Sequence, residues 1–407
     1  MKWKYSWEIK QMKIVGIISE YNPFHKGHAY QIEKTKEDTG ATHVVALMSG
    51  NFVQRGMPSI IDKYERAEMA LLGGADLVLE LPAVYALSSA EFFAEGAVRI
   101  LEALKGIDLL SFGSEEGELK DLVTLADFLT KEPEAYKDFL KEELASGKSY
   151  ATARNLALTK FLPEVDEKII QSPNNILGIE YLKALIRLDS KIEPYTLKRK
   201  GKGYHDLTLT ESHYASATAL RKGILEDESI EAYVPKAVYA YLTHLKEENY
   251  SFTIPEDYKD LLLYRLLTDG AKLKNLPEAS EGLDNRIVSQ LHILREKSLE
   301  EFIDSVKTKR YARTRISRLL FQFLLSFDTE KIETLRRSTP KAVKILALNE
   351  KGKEILSSLR KDKEIEIIHN FDKKLDPFQS IDQKASQIYA LKNKSYNATR
   401  DFTGGKS

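Results

Sequence analysis

Four short apolar runs between residues 13 and 116 alternate with segments of helical periodicity, and this alternation limits the chain to few architectures. The runs are Ile14-Val15-Gly16-Ile17-Ile18, His43–Met48, Asp76–Leu81 and Asp108–Phe112, and each stops at a turn-forming cluster. Helices are expected from about His28, from Asp62 as N-cap to Leu72-Gly73-Gly74, and over about Ser89–Leu104. Strands apolar throughout and separated by helices belong to a parallel sheet covered on both faces, an α/β fold. From Gly117 to about Leu188 the pattern is helical and reads as an insertion (about 117–190). A fifth strand resumes at Lys191–Lys198, and a loop with Gly201 and Gly203 leads to a helix near Ser216.

At 407 residues the chain exceeds one ordinary domain of roughly 100–200 residues. We divide it into an extension (1–11) outside the fold, a first domain (12–235) closing at Val234-Pro235, and a second (236–407). The second reads as mainly helical, with amphipathic segments at Asp260–Leu267 and Thr314–Phe327. Near its end Val343–Leu348, a helix to Leu359 and Glu364–Ile368 form a small strand–helix–strand unit. A hydrophobic content of 43% supports packed cores, and the absence of cysteine excludes disulfides, thiolate metal sites and a cysteine nucleophile. No apolar run approaches the ~18 residues of a membrane span, and Met1–Gln11 has no apolar core of a secretory signal. A cytoplasmic protein without a membrane or stable protein partner is expected. The zero net charge hides an asymmetry: residues 1–235 carry 29 Lys+Arg against 36 Asp+Glu, and residues 236–407 carry 32 against 25. A basic half beside an acidic one suggests that one module does chemistry while the other holds a polyanion; unevenly charged solvated faces are the plain alternative.

Asn22-Pro23-Phe24-His25-Lys26-Gly27-His28 follows the first strand directly. This loop lies beyond the carboxyl edge of a parallel sheet, where ligands bind, and opens a helix whose free N–H groups favour phosphate. Gly27 permits close backbone approach, and a histidine at a helix start can donate to charge building on a transferring phosphoryl group. Two histidines by chance, or a metal pair, are the competing explanations. In the second domain, Lys307, Lys309, Arg310, Arg313, Arg315 and Arg318 surround Tyr311; at helical spacing Arg310, Arg313 (or Thr314) and Arg318 fall near one face. Such a stripe suits a phosphodiester track, extended by Arg336, Arg337 and Lys341, or else a solvated helix face.

The strand followed by His25-Lys26-Gly27-His28 resembles the nucleotidyltransferase superfamily, which splits ATP between its α- and β-phosphates. Ala215-Ser216-Ala217-Thr218-Ala219-Leu220-Arg221 looks like that superfamily's Ser-x-Thr-x-x-Arg element, though an ordinary capped helix reads the same way. The ordered set Glu20–His25, Met48–Gly56, Phe112-Gly113-Ser114-Glu115, Ser172–Gly178 and Gly203-Tyr204-His205-Asp206 narrows the resemblance to the bacterial tRNA(Met) cytidine acetate ligase family. The likeness runs from Met12 essentially to the C-terminus.

This resemblance implies a Rossmann-like nucleotidyltransferase domain joined to a tRNA-binding domain. It also implies ATP-dependent ligation of acetate to N4 of the elongator tRNA(Met) wobble cytidine. The ATP-binding residues it implies are Ile18, Ser19, Glu20, Tyr21, Asn22, Pro23, Phe24, His25, Lys26, Gly27, His28, Ala29, Tyr30 and Gln31, with Gly113, Asn174, Arg199, Ser216 and Thr218. His25, His28 and Arg221 are the expected catalytic residues. Lys307, Lys309, Arg310, Arg313, Arg315 and Arg318 are the expected tRNA contacts. ATP is expected as co-substrate, with Mg²⁺ on its phosphates and no metal site of the protein's own. Lys63 and Arg66 are open between holding phosphate or acetate and a surface ion-pair role. The alternative is an adenylyl- or cytidylyltransferase acting on a small phosphorylated metabolite, which leaves the basic half unexplained. A third possibility is a nucleotide- or RNA-binding module without catalysis.

Overall fold

The computed structural model describes residues 12–199, 215–327, 329–359 and 363–403. The expected extension at 1–11 and the Gly203–Asp206 motif lie outside these residues. The apolar runs form β1 (Ile14–Ser19), β2 (His43–Ser49), β3 (Leu77–Leu81) and β4 (Leu109–Ser114), and β5 is Glu193–Lys198. They lie side by side in the order β3-β2-β1-β4-β5, all parallel. The order reverses between β1 and β4, so crossovers leave in opposite directions and open a crevice at their carboxyl ends, the binding position of doubly wound sheets.

Helices α1 (Lys26–Thr39), α2 (Lys63–Leu72) and α3 (Ala90–Ala103) follow β1, β2 and β3. Asp62 caps α2 as expected, its Oδ1 accepting from Tyr64 N at 2.8 Å and Glu65 N at 3.2 Å. The insertion between β4 and β5 is helical and ends in α4 (Pro173–Arg187), which packs on α3. Beyond the described break, α5 (Ala217–Leu225) starts at its N-cap Ser216, whose Oγ accepts from Ala219 N at 3.1 Å. Between residues 236 and 336 the described elements are all helices, among them α6 (Arg313–Leu324).

The strand–helix–strand unit near the C-terminus does not stand apart. β6 (Ala342–Leu348) pairs antiparallel with β3, and β7 (Glu366–Ile368) pairs parallel with β6. One seven-stranded sheet therefore draws strands from both sides of residue 235. A buried ionic cluster secures the closing segment: Lys63 Nζ lies 2.8 Å from Glu80 and 2.7 Å from Asp401, and Tyr64 OH donates to Asp401 at 2.9 Å. Among the described residues no helix is long and apolar enough to cross a membrane.

Candidate active site

A cavity of about 610 Å³ opens at the carboxyl ends of β1, β4 and β5. The loop after β1 forms its floor. His25 is the N-cap of α1: its Nδ1 accepts from Gly27 N at 3.1 Å, while His28 Nδ1 accepts from His25 N at 3.2 Å. The helix therefore begins at Lys26, two residues before the expected His28. Histidine is not a preferred N-cap residue, which is why the usual start signal is missing. A Cβ at Gly27 would lie 2.9 Å from His25 Cε1, so the glycine's bareness seats the imidazole.

With each Nδ1 accepting a backbone N–H, the neutral tautomer of both rings carries its proton on Nε2. The rings stack with centroids 3.6 Å apart. Burial and the nearby Arg199 guanidinium lower the pKa of His25 to about 3; burial, His25 and Arg199 hold His28 well below its ordinary value. At neutral pH the pair presents two uncharged Nε2–H donors, suited to anionic oxygens.

Arginines ring the floor. Arg221 on α5 donates to Asn22 O at 2.9 Å and to Thr218 Oγ1 at 3.0 Å, tying the Ser-x-Thr-x-x-Arg element to the histidine loop. Arg199, just past β5, donates to Asn174 Oδ1 at 2.8 Å, and Asn174 Nδ2 donates to Glu115 at 2.7 Å. A Cβ at Gly113 would lie 3.0 Å from Arg199 Cγ, so Gly113 makes room for the arginine stem. Burial lowers the pKa of both arginines. Guanidinium groups stay charged even so, and the two positive charges favour an arriving polyanion.

Of the expected nucleotide residues, Ile18 to Asn22, His25, Gly27, His28, Tyr30, Gln31, Gly113, Asn174, Arg199, Ser216, Thr218 and Arg221 line this cavity. Pro23, Phe24, Lys26 and Ala29 do not. Phe24 is fully buried beneath Gly73, and Lys26 Nζ donates to Ala232 O at 2.6 Å. Gln31 Nε2 donates to Ser111 O at 3.1 Å, bracing α1 on β4.

Lys63 and Arg66, open between anion binding and a surface ion pair, lie neither on the cavity wall nor at the surface. Lys63 serves the buried cluster, and Arg66, fully buried, donates to the carbonyls of Ile61, Glu20, Ser49 and Gly50. The Met48–Gly56 motif before them supplies other wall residues, Gln54 and Arg55, from the turn between Phe52–Val53 and Met57–Pro58. That turn rests on α6. Gly56 has φ +76°, and a Cβ there would lie 2.2 Å from Arg318 N, so only glycine fits. Tyr181 on α4 also lines the cavity and carried no local sequence signal.

The basic cluster differs from the expected stripe. Helix α6 starts only at Arg313, so Lys307, Lys309 and Arg310 precede it, exposed, with no side-chain partner among the described residues. Arg313 pairs with Glu300 and Asp304, Arg315 with Glu281, and Arg318, nearly buried, with Glu278 at 3.2 Å. Thr314 and Arg318 line the far wall of the cavity. Arg336 is 2% exposed and covers Phe92, as does Arg337.

A family profile described as HIGH Nucleotidyl Transferase matches residues 12–402. The tRNA(Met) cytidine acetate ligase of Clostridium novyi (strain NT) is 42% identical over 96% of this chain and 98% of its own length. The chain belongs to this ligase family of nucleotidyltransferases. The crystal structure of apo Thermotoga maritima TmcAL superposes with a TM-score of 0.89 at 32% identity, covering 96% of this chain and 98% of that one. Thermotoga maritima TmcAL bound with alpha-thio ATP gives 0.86 at the same identity and coverage. The fold is thus that of a nucleotidyltransferase of this family, with a mixed sheet of mostly parallel strands.

Proposed function

We propose that this chain is an ATP-dependent ligase that activates acetate as acetyl-adenylate and transfers the acetyl group to N4 of the wobble cytidine of elongator tRNA(Met). The observation that carries this reading is the convergence of two Nε2–H donors and two arginines on one crevice at the β1/β4 reversal, in a chain related to such ligases along 96% of its length.

An acetate oxygen attacks the α-phosphate in line and pyrophosphate leaves. His25 and His28 donate Nε2–H to phosphate oxygens as charge builds, and Arg221 and Arg199 neutralise the departing pyrophosphate. Placement and electrostatics are the main demands of such a transfer. Cytidine N4 then attacks the acetyl carbonyl and AMP departs. Mg²⁺ enters on the triphosphate, whose oxygens suit a hard cation; among the described residues no group of three or more His, Asp or Glu is placed to hold a metal. The tRNA is held across the mouth formed by the turn at Arg55 and by α6, with Lys307, Lys309 and Arg310 as free cations toward its phosphates and Arg313, Arg315 and Arg318 behind them. A cytoplasmic location belongs to the same proposal.

Incubation with ATP, labelled acetate and tRNA(Met) tests the reading. Label in N4-acetylcytidine after nuclease digestion supports it. Label-free RNA together with nucleotidyl transfer to a phosphorylated small molecule supports the metabolite-directed alternative.

A further inference from the structure

The transfer step must dispose of a proton. When N4 bonds to the acetyl carbon, the C–O bond to the adenylate breaks, AMP leaves with that electron pair, and the amine loses one hydrogen. We infer that Glu20 accepts this proton, acting as the general base of the acetyl-transfer half-reaction; this rests on the function proposed above.

Among the described residues the wall of the cavity offers few acceptors. The Nδ1 atoms of His25 and His28 are occupied by backbone N–H groups, and their Nε2 atoms carry hydrogen. Tyrosine hydroxyls keep their protons at neutral pH. Glu115 accepts from Asn174 Nδ2 at 2.7 Å and ends the chain that orients Arg199. Among the described residues, Glu20 is the other carboxylate on the wall. Its Oε1 accepts from Gln54 N at 2.9 Å, and its Oε2 has no hydrogen-bond partner among the described residues.

Its placement suits the role. Glu20 directly follows β1, and its own carbonyl accepts from the fully buried Arg66, so both backbone and carboxylate are fixed before substrate arrives. Among the described residues, the charged and titratable groups facing it are Arg55 on the turn, Arg221 on α5, Arg66 on α2 and Tyr181 on α4. Through Gln54, Glu20 is tied to the turn that rests on α6, the side on which the proposed function places the tRNA. A carboxylate is a weak base, but N4 becomes strongly acidic as it bonds to the carbonyl carbon, and a nearby carboxylate suffices at that stage.

The test separates the half-reactions. Glu20→Gln keeps an oxygen for Gln54 N–H but is no base. Acetyl transfer to tRNA from preformed acetyl-adenylate should fall about 10²- to 10⁴-fold, while acetate-dependent ATP–pyrophosphate exchange falls no more than about tenfold. Transfer at the wild-type rate, with the proton going to the adenylate phosphate or to water, overturns the inference. So does exchange that falls as far as transfer, which would place Glu20 in adenylation. Absence of acetate-dependent exchange in the wild type would instead sink the proposed function itself.

Discussion

The imidazoles of His25 and His28 lie face to face, planes 16° apart, and each Nδ1 accepts a backbone N–H of the same helical turn. One arrangement thus caps α1 and turns the protonated edges of both rings into donors. Removing one donor should cost what loss of a preorganised oxyanion donor costs elsewhere. His28→Ala is expected to slow acetate-dependent pyrophosphate release about 10²- to 10³-fold in steady-state assays with a phosphate-release coupling system. His25→Ala should in addition lower stability by about 1 kcal/mol through loss of the cap.

Both histidines bind protons less readily folded than unfolded, because burial opposes their charge. Their contribution is complete above the unfolded value near 6.5 and is lost as pH falls toward about 3. Denaturant unfolding at pH 7 and pH 5 should show stability dropping on acidification. The drop should be smaller in His28→Gln by on the order of 1–2 kcal/mol, since the ring also borders the cavity.

Much of this architecture is legible in the residues themselves. The apolar runs mark the strands, and Asp62 and Ser216 mark helix starts because their side chains are made for that role. What stays hidden depends on distant pairing. Nothing local says that Val343–Leu348 joins β3, or that Asp401 meets Lys63, since the partners are hundreds of residues apart. Lys63 and Arg66 open the helix after the Met48–Gly56 motif, where anion binding and a surface ion pair read alike, yet both side chains turn inward. The basic residues near Tyr311 suggest one stripe because the acids that neutralise three of them come from other segments.

The inward turn of Lys63 leads to a test. Lys63→Met leaves Glu80 and Asp401 buried without their cation and is expected to destabilise the fold by about 3–5 kcal/mol. Thermal unfolding measures this. A variant with normal stability but a raised acetate KM would return Lys63 to the anion-binding role.

The exposed and paired basic residues should separate in salt titrations. Replacing Lys307, Lys309 and Arg310 with alanine should flatten the logarithmic salt dependence of tRNA binding by about one unit per side chain. Arg313→Ala should change it little, because Glu300 and Asp304 already neutralise that guanidinium.

The central claim is that the cavity joins acetate to the α-phosphate of ATP before any acetyl group reaches RNA. Acetate labelled with ¹⁸O in both oxygens traces that bond through turnover with tRNA. One ¹⁸O in each AMP, and none in pyrophosphate, is the predicted result by mass spectrometry. AMP without ¹⁸O, while labelled acetyl still accumulates on the tRNA, would contradict it.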